Sequence, residues 1–198
     1  MNNTKKQWAD VYNKPAGVAC FVENIHVHKE FLDEMFAVPH SRVLEVGCGS
    51  GTLSVFMSHL GADVTAVDRD PDILARADKT SEQLNGKVKF VEADAFKLPF
   101  SDKEFDIAFS QGVIEHFTDE DIMKLLREQL RVAKCVFFSV PNKSYNHKDF
   151  GDERLMAKSQ WDNILSEFNL KVSKDYYCIR AKRNLFRSLP IMYMAGIE

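Results

Sequence analysis

The stretch "VLEVGCGSGT", residues Val43 to Thr52, decides the fold. A run of aliphatic residues is followed at once by glycines at positions 47, 49 and 51. Glycine weakens both strands and helices, so a cluster of it indicates a backbone that turns tightly or approaches something closely. The stretch therefore predicts a buried strand, a glycine-rich turn and a helix that begins near Thr52.

The rest of the chain repeats this alternation of strand and helix. Aliphatic runs predict strands around 42–46, 63–68, 88–93, 105–110 and 134–140, and periodic apolar residues predict helices around 53–60, 70–86, 118–130 and 159–168. Strands that are apolar on both faces are typical of a parallel sheet covered on both sides. We predict an α/β protein with a doubly wound, mostly parallel sheet and right-handed crossovers.

Two regions lie outside this alternation. Residues 1–40 read as two helices, one presenting Trp8, Val11 and Tyr12 on a face and the other presenting Val27, Phe31, Met35 and Phe36. Residues 170–198 read as a terminal pair of strands, "LKVSKDYYCI" and "PIMYMAGI". The polar connection at 141–158 is long for a compact domain, and such loops are often functional.

The composition excludes several classes of protein. The 198 residues are 45% hydrophobic with a net charge of −3, which gives no case for nucleic acid or a membrane surface as partner. The N-terminus has no apolar core and resembles no signal peptide. No pair among Cys20, Cys48, Cys135 and Cys178 has the C-x-x-C spacing of a metal or redox site, so we expect no metal. A chain of this size without a leader peptide is expected in a reducing, cytoplasmic location.

Polar side chains follow the predicted strands at the points where they end. Asp68 ends the second strand about 20 residues after the glycines, where a carboxylate can accept from both hydroxyls of a ribose. Asp94 follows the third strand, where an acid can accept from the exocyclic amine of a base such as adenine. The carboxyl ends of parallel strands share one edge, where open α/β sheets bind ligands.

Dinucleotides are one class of ligand that such a glycine-rich turn can bind. The dinucleotide pattern G-x-G-x-x-G needs a third glycine where this chain has Thr52. A nicotinamide-dependent oxidoreductase is therefore disfavoured. A tight turn that binds nothing is disfavoured by the acids at the neighbouring strand ends.

Four motifs together resemble the class I S-adenosylmethionine-dependent methyltransferases over about residues 40–142. They are "LEVGCGSG", "VDRDP", "ADAFKLPFSDKEFD" and "SQGVIEH". The resemblance implies a Rossmann-like sheet of seven strands in the order 3-2-1-4-5-7-6, with the seventh antiparallel. From the length of the chain we predict one domain over 1–198, with an N-terminal helical cap or lid (1–40), a cofactor-binding core (41–142), and a substrate loop, helix and strand pair (143–198).

The resemblance further implies how S-adenosylmethionine, and its product S-adenosylhomocysteine, would be held. Glu45 would orient the loop or reach the methionine amino group, and Gln111 would lie near the sulfonium. Asp68 would bind the ribose diol, and Asp94 the adenine N6. The remaining cofactor-binding residues implied are Gly47, Cys48 and Gly49 along the methionine and ribose, Arg69 near the adenine, and Ala95, whose N–H would face the ring N1.

His116 is the candidate catalytic residue. An imidazole near the active edge can take a proton from an attacking oxygen or nitrogen, although the same side chain can simply cap or pack its loop. The basic run at 179–187 is better explained as a solvated connection than as an RNA contact, because no stacking platform accompanies it. His26 and His28 are expected to be solvated.

The sequence thus predicts a methyltransferase, monomeric or homodimeric, that transfers a methyl group to an O, N or C atom of a small molecule. The alternatives are an RNA or protein methyltransferase and a non-catalytic protein that binds S-adenosylmethionine and regulates a partner. Residues 1–40, the loop after Gln111 and residues 141–158 are expected to form the acceptor pocket and to close over it.

Overall fold

The computed structural model describes residues 15–145, 151–180 and 188–198. Its helices are α1 (Val18–Val27), α2 (Lys29–Phe36), α3 (Thr52–His59), α4 (Pro71–Gln83), α5 (Asp119–Val132) and α6 (Lys158–Ile164), with short 3₁₀ turns at Ile114–His116 and Leu165–Glu167. Its strands are β1 (Arg42–Val46), β2 (Asp63–Asp68), β3 (Val88–Glu92), β4 (Phe105–Gln111), β5 (Ala133–Pro141), β6 (Leu170–Arg180) and β7 (Ser188–Ile197).

These seven strands form one sheet in the order β3-β2-β1-β4-β5-β7-β6. Strands β1 to β5 pair in parallel, whereas β7 runs antiparallel to both β5 and β6. The predicted fold class, strand order and terminal strand pair are therefore confirmed. The sheet order reverses between β1 and β4, which places their carboxyl ends on either side of a crevice.

Helices cover the sheet on both faces, as the aliphatic strands require. On one face α5 and α6 pack on β4 and β5 through residues such as Leu125, Phe138 and Trp161. On the other face α2 and α3 cover β1 and β4 through residues such as Phe31, Met57 and Phe109. The helix starts follow the sequence signals, since Asp70 caps α4 and Thr118 caps α5 through side-chain acceptors.

The N-terminal helices pack on the side of the sheet, against α3. The Asn24 amide donates to Thr52 Oγ1 over 2.8 Å, and Phe31 is buried against Phe109. Phe31 was expected to contribute to the acceptor pocket, and the structure instead places it in the core. The helix that was predicted around Trp8, Val11 and Tyr12 lies outside the described residues, and closure of a lid stays a prediction.

His28 separates α1 from α2 and is buried, which corrects the expectation of a solvated residue. Its Nδ1 lies 2.7 Å from the Tyr176 hydroxyl, which also hydrogen-bonds the Ser139 hydroxyl on β5. Burial lowers the pKa of His28 to about 4. A neutral imidazole thus joins the N-terminal helices to the last strands of the sheet.

Asp106, near the start of β4, is hydrogen-bonded to the backbone where β1 begins. Asp106 is a structural residue, because its carboxylate accepts from the backbone N–H groups of Ser41 and Arg42 and pairs with Lys134.

The four cysteines are free thiols in the described structure. Within the described ranges, no helix has both the length and the hydropathy needed to cross a membrane.

Candidate active site

The glycine loop is built at the carboxyl end of β1. Gly47, Gly49 and Gly51 have φ angles of +72°, +51° and +71°, in the left-handed region that favours glycine. The N–H groups of Gly47 and Cys48 both donate to the carbonyl of Val67, at 2.9 and 3.0 Å. These bonds tie the loop to the end of β2 and fix its path before α3 begins.

At Gly47 the missing side chain makes room for a neighbouring loop. A Cβ on this residue would lie 2.6 Å from Cγ2 of Val113. Val113 belongs to the segment after β4, so the glycine loop and this segment pack directly on each other. Glycine is required here because of the protein's own packing and the positive φ. The sequence alone had suggested the close approach of a ligand as the reason.

Glu45 lies beneath the glycine loop and is 4% exposed. Its Oε2 accepts from both the backbone N–H and the hydroxyl of Ser54, in the first turns of α3. Within the described part of the chain, Oε1 has no hydrogen-bond partner. Burial raises the pKa of Glu45 to about 8, because water is excluded from the charged form.

Asp68 faces the same loop from the end of β2. Its Oδ2 lies 3.4 Å from the Gly49 N–H, which makes a long hydrogen bond, and its Oδ1 accepts from the Asp70 N–H over 3.1 Å. The residue is half-buried, and burial raises its pKa. Asp68 is thus a carboxylate that is held in place and still partly accessible at the active edge.

The other predicted cofactor-binding residues lie at the same edge. Asp94 is exposed just after β3, and the Ala93 N–H next to it donates to the Asp68 carbonyl over 3.0 Å. Ala95 and Gln111 are half-buried, whereas Arg69 is exposed. Cys48 is buried in the loop, and burial holds the pKa of its thiol well above the usual range, which makes the thiol unreactive.

His116 is positioned by a residue that the sequence interpretation missed. Its Nδ1 lies 2.7 Å from Oδ1 of Asp152, in the connection between β5 and α6. The His116 side chain is 8% exposed and that of Asp152 is 31% exposed. The two residues are 36 positions apart. Only the unusual length and polarity of the 141–158 connection indicated that it contributes to the site.

Glu115, next to His116, is the other missed residue. It is 2% exposed, and within the described residues its Oε2 has no hydrogen-bond partner. Burial, together with the nearby carboxylates of Glu153 and Asp152, raises the pKa of Glu115 to about 8. In the described ranges, no group of His, Cys, Asp and Glu side chains has a geometry that could hold a metal ion.

Glu45 and Glu115 give the protein a predicted dependence of stability on pH. Their pKa values of about 8 in the folded chain exceed the ordinary value of 4.5, so the folded state binds more protons between these limits. The free energy of unfolding should therefore fall as pH rises from 5 to 8, on the order of 1–3 kcal/mol for each carboxyl. Chemical denaturation at several pH values measures this slope.

A matched pair of variants assigns the slope to buried carboxyls. Glu115→Gln removes one titrating group and should flatten the dependence. Glu92→Gln makes the same change at an exposed position on β3 and should leave the slope as it is. Equal slopes for Glu115→Gln and the wild type would show that Glu115 is ionised in the folded protein at neutral pH.

Comparison with known proteins agrees with this geometry. A sequence profile of the family described as "Methyltransferase domain" matches residues 43–135, which run from β1 into β5 and include the glycine loop, Asp68, Asp94 and His116. The match spans 93 of the 198 residues, and over them the chain is similar to methyltransferase domains. This confirms the resemblance carried by the four motifs.

Curated relatives of this chain match over part of their length. A ubiquinone biosynthesis O-methyltransferase of Xanthomonas campestris is 33% identical over 123 residues, covering 60% of this chain and 50% of the relative. The protein of the same name from Paraburkholderia phymatum is 31% identical over 144 residues, covering 69% and 62%. The chain thus spans half to three-fifths of these two relatives.

Solved structures resemble this chain over nearly its whole length. The PH0226 protein of Pyrococcus horikoshii has a TM-score of 0.76 at 17% identity, covering 98% of both chains. The magnesium protoporphyrin IX methyltransferase of Synechocystis with bound S-adenosylhomocysteine has a TM-score of 0.65 at 17% identity, covering 99% of this chain and 94% of that one. At such identities the likeness shows the fold.

Proposed function

We propose that this protein binds S-adenosylmethionine at the carboxyl edge of β1, β2 and β3 and transfers its methyl group to a small-molecule acceptor. The observation that carries the proposal is the placement of two buried or half-buried carboxyls, Glu45 and Asp68, on either side of the glycine loop. Each has an oxygen with a weak or missing partner among the described residues. Such groups are expected to gain from binding a ligand that donates hydrogen bonds.

The methionine end of the cofactor fits the surroundings of Glu45. Its α-ammonium group is a donor and a cation, and Oε1 of Glu45 lacks a donor in the described structure. Pairing with a cation would also favour the ionised form of this buried carboxyl. Gly47, Cys48 and Gly49 would lie along the methionine and ribose. The bonds of Gly47 and Cys48 to Val67, and the long bond of Gly49 to Asp68, fix the backbone there.

The nucleoside end fits the ends of β2 and β3. Two ribose hydroxyls can donate to the two oxygens of Asp68, displacing the long contact to Gly49. Asp94 is exposed at the same edge. It directly follows Ala93, whose N–H donates to the Asp68 carbonyl. Asp94 would accept from the adenine N6, the Ala95 N–H would face the ring N1, and Arg69 would lie near the ring.

When bound, the cofactor supplies an electrophilic methyl group on its sulfonium. The protein's part is to orient the acceptor and exclude water. Gln111 would lie near the sulfonium, and the segment from Gly112 to His116 with residues 151–158 would border the acceptor. His116 would take the proton that the methyl acceptor gives up. The relatives named as O-methyltransferases support a small organic acceptor over RNA or protein.

The cysteines bear on the proposed cellular location of the protein. The free thiols of Cys20, Cys48, Cys135 and Cys178 support a reducing compartment, which we take to be the cytoplasm. The enzyme would act as a monomer or a homodimer. The nicotinamide alternative is not supported, because Thr52 occupies the position that a dinucleotide fingerprint gives to glycine.

Calorimetry with S-adenosylhomocysteine and with NAD tests the ligand directly. We expect S-adenosylhomocysteine to bind in a 1:1 ratio and NAD to produce no heat of binding, because the loop lacks the third glycine of a pyrophosphate site. Binding of NAD in preference to S-adenosylhomocysteine would contradict the proposed function.

A further inference from the structure

Two segments distant in the sequence meet at His116. The 3₁₀ turn Ile114–His116 follows β4, and residues 151–157 precede α6. The backbone of Arg154 donates to the Glu115 carbonyl over 2.9 Å, and the Arg154 guanidinium donates to the Phe117 carbonyl over 2.7 Å. These bonds hold the two segments together independently of the His116 side chain. The 2.7 Å contact between His116 and Asp152 is therefore made within a fixed frame.

The contact with Asp152 determines where His116 carries its proton. An ionised carboxylate can only accept a hydrogen bond, so Nδ1 of the imidazole must be the donor. In a neutral imidazole the other nitrogen, Nε2, then carries the lone pair. The geometry thus selects one of the two tautomers, the one whose proton-accepting atom is Nε2.

The Nε2 edge of the ring is turned toward the end of β4. Nε2 lies 4.0 Å from Oε1 of Glu115. The same Oε1 lies 3.7 Å from the position a Cβ would take on Gly112, whose N–H donates to the Ser139 carbonyl. Gly112 directly follows Gln111, the residue expected near the sulfonium. Nδ1 is thus hydrogen-bonded to the 151–157 segment, while Nε2 lies beside the Glu115 carboxyl that borders the end of β4.

We propose that Asp152 is a positioning residue that holds His116 in the tautomer whose Nε2 takes a proton from the methyl acceptor, and that the acceptor therefore carries a proton on its attacking atom, as a hydroxyl compound does. The proposal rests on the proposed function of the site. It also narrows that function, because a nucleophile that carries no proton would need no such arrangement.

The transfer step moves a proton to His116 and a methyl group to the acceptor oxygen. The acceptor O–H gives its proton to Nε2 while its oxygen forms a bond to the methyl carbon, and the electrons of the breaking carbon–sulfur bond remain on sulfur as a thioether. His116 becomes an imidazolium that still donates to Asp152 through Nδ1, and the carboxylate stabilises this charge. Glu115, with a pKa of about 8, is mostly neutral at pH 7 and adds little competing charge beside Nε2.

Nitrogen NMR of the full chain labelled with ¹⁵N-histidine tests the tautomer. Spectra are recorded at pH 8 with S-adenosylhomocysteine bound, and the His116→Gln variant assigns the signal. We expect His116 in the wild type to be protonated at Nδ1. In Asp152→Ala the proton should shift toward Nε2, and Asp152→Ser provides a second variant in case the alanine variant does not fold.

Glu115→Gln is the matched control, because it changes the carboxyl on the Nε2 side and should leave the proton on Nδ1. Protonation at Nε2 in the wild type would overturn the proposal. It would also be overturned if the Asp152 variants kept the wild-type tautomer, or if only Glu115→Gln changed it. Affinity for S-adenosylhomocysteine is measured for every variant, so a wild type that fails to bind it would contradict the proposed function separately.

Kinetics separate positioning from a structural role. With a hydroxyl acceptor, kcat of Asp152→Ala should fall about tenfold or more with KM unchanged, since general-base catalysis contributes roughly 10²–10⁴-fold. A rise in KM alone, or an unchanged kcat, would overturn the role assigned to Asp152.

Discussion

Gly47→Ala is expected to weaken binding of S-adenosylhomocysteine by about tenfold or more. The new Cβ would lie 2.6 Å from Cγ2 of Val113, and the residue would have to keep a φ of +72°. Both effects push the glycine loop away from the segment after β4. The loop carries Gly49, whose N–H contacts Asp68, so displacement should reach the ribose site. Isothermal titration calorimetry measures the change.

Two further variants separate the steric clash from backbone strain. Gly61→Ala imposes a similar strain at a φ of +92°, and no described atom lies within 4 Å of its added Cβ. Gly61 follows α3 away from the active edge, so its variant should bind as the wild type does. Adding Val113→Ala to Gly47→Ala should restore part of the lost affinity. No restoration would mean that contact with Val113 does not set the position of the loop.

Asp68→Ala should weaken binding of S-adenosylhomocysteine by about 1–3 kcal/mol, or roughly fivefold to 150-fold, because two ribose hydroxyls would lose their acceptor. The fold should persist, because Asp68 is half-buried at the active edge and its side chain accepts from backbone groups of the loop and the turn, such as Gly49 and Asp70, rather than packing in the core. Calorimetry and thermal unfolding are measured together.

Asp63→Ala is the matched control for Asp68. Asp63 is exposed at the first position of the same strand, β2, and therefore lies at the opposite edge of the sheet. Its variant should leave the affinity unchanged. Equal affinities for Asp68→Ala and the wild type would show that the ribose binds elsewhere, and the proposed orientation of the nucleoside would be wrong.

Local patterns were sufficient to predict most of the fold. The aliphatic runs gave β1 to β5 within one or two residues, and Asp70 and Thr118 marked helix starts because their side chains cap free N–H groups. The resemblance to a family supplied the strand order, which depends on contacts between strands that no local pattern encodes. The helix break at His28 was missed, because the residue that it contacts, Tyr176, is 148 positions away.

The site was predictable only where it lies at strand ends. Glu45, Asp68 and Asp94 could be located because parallel strands bring their carboxyl ends to one edge. Asp152 could not, since it approaches His116 from an irregular connection whose path depends on tertiary packing. The reason for glycine at position 47 was also hidden, because Val113 becomes its neighbour only after folding. The division into cap, core and substrate segment stays a prediction.

Transfer of a labelled methyl group is the most direct test of the central claim, that this site moves a methyl group to a small molecule. The protein is incubated with S-adenosylmethionine carrying a trideuterated methyl group and with fractionated small-molecule extracts, and the products are analysed by mass spectrometry. A compound that gains one trideuterated methyl group, in an amount that Asp68→Ala reduces and Asp63→Ala does not, is the predicted result. Tight binding of S-adenosylmethionine without labelled product in any fraction would contradict the claim and favour a non-catalytic binding protein.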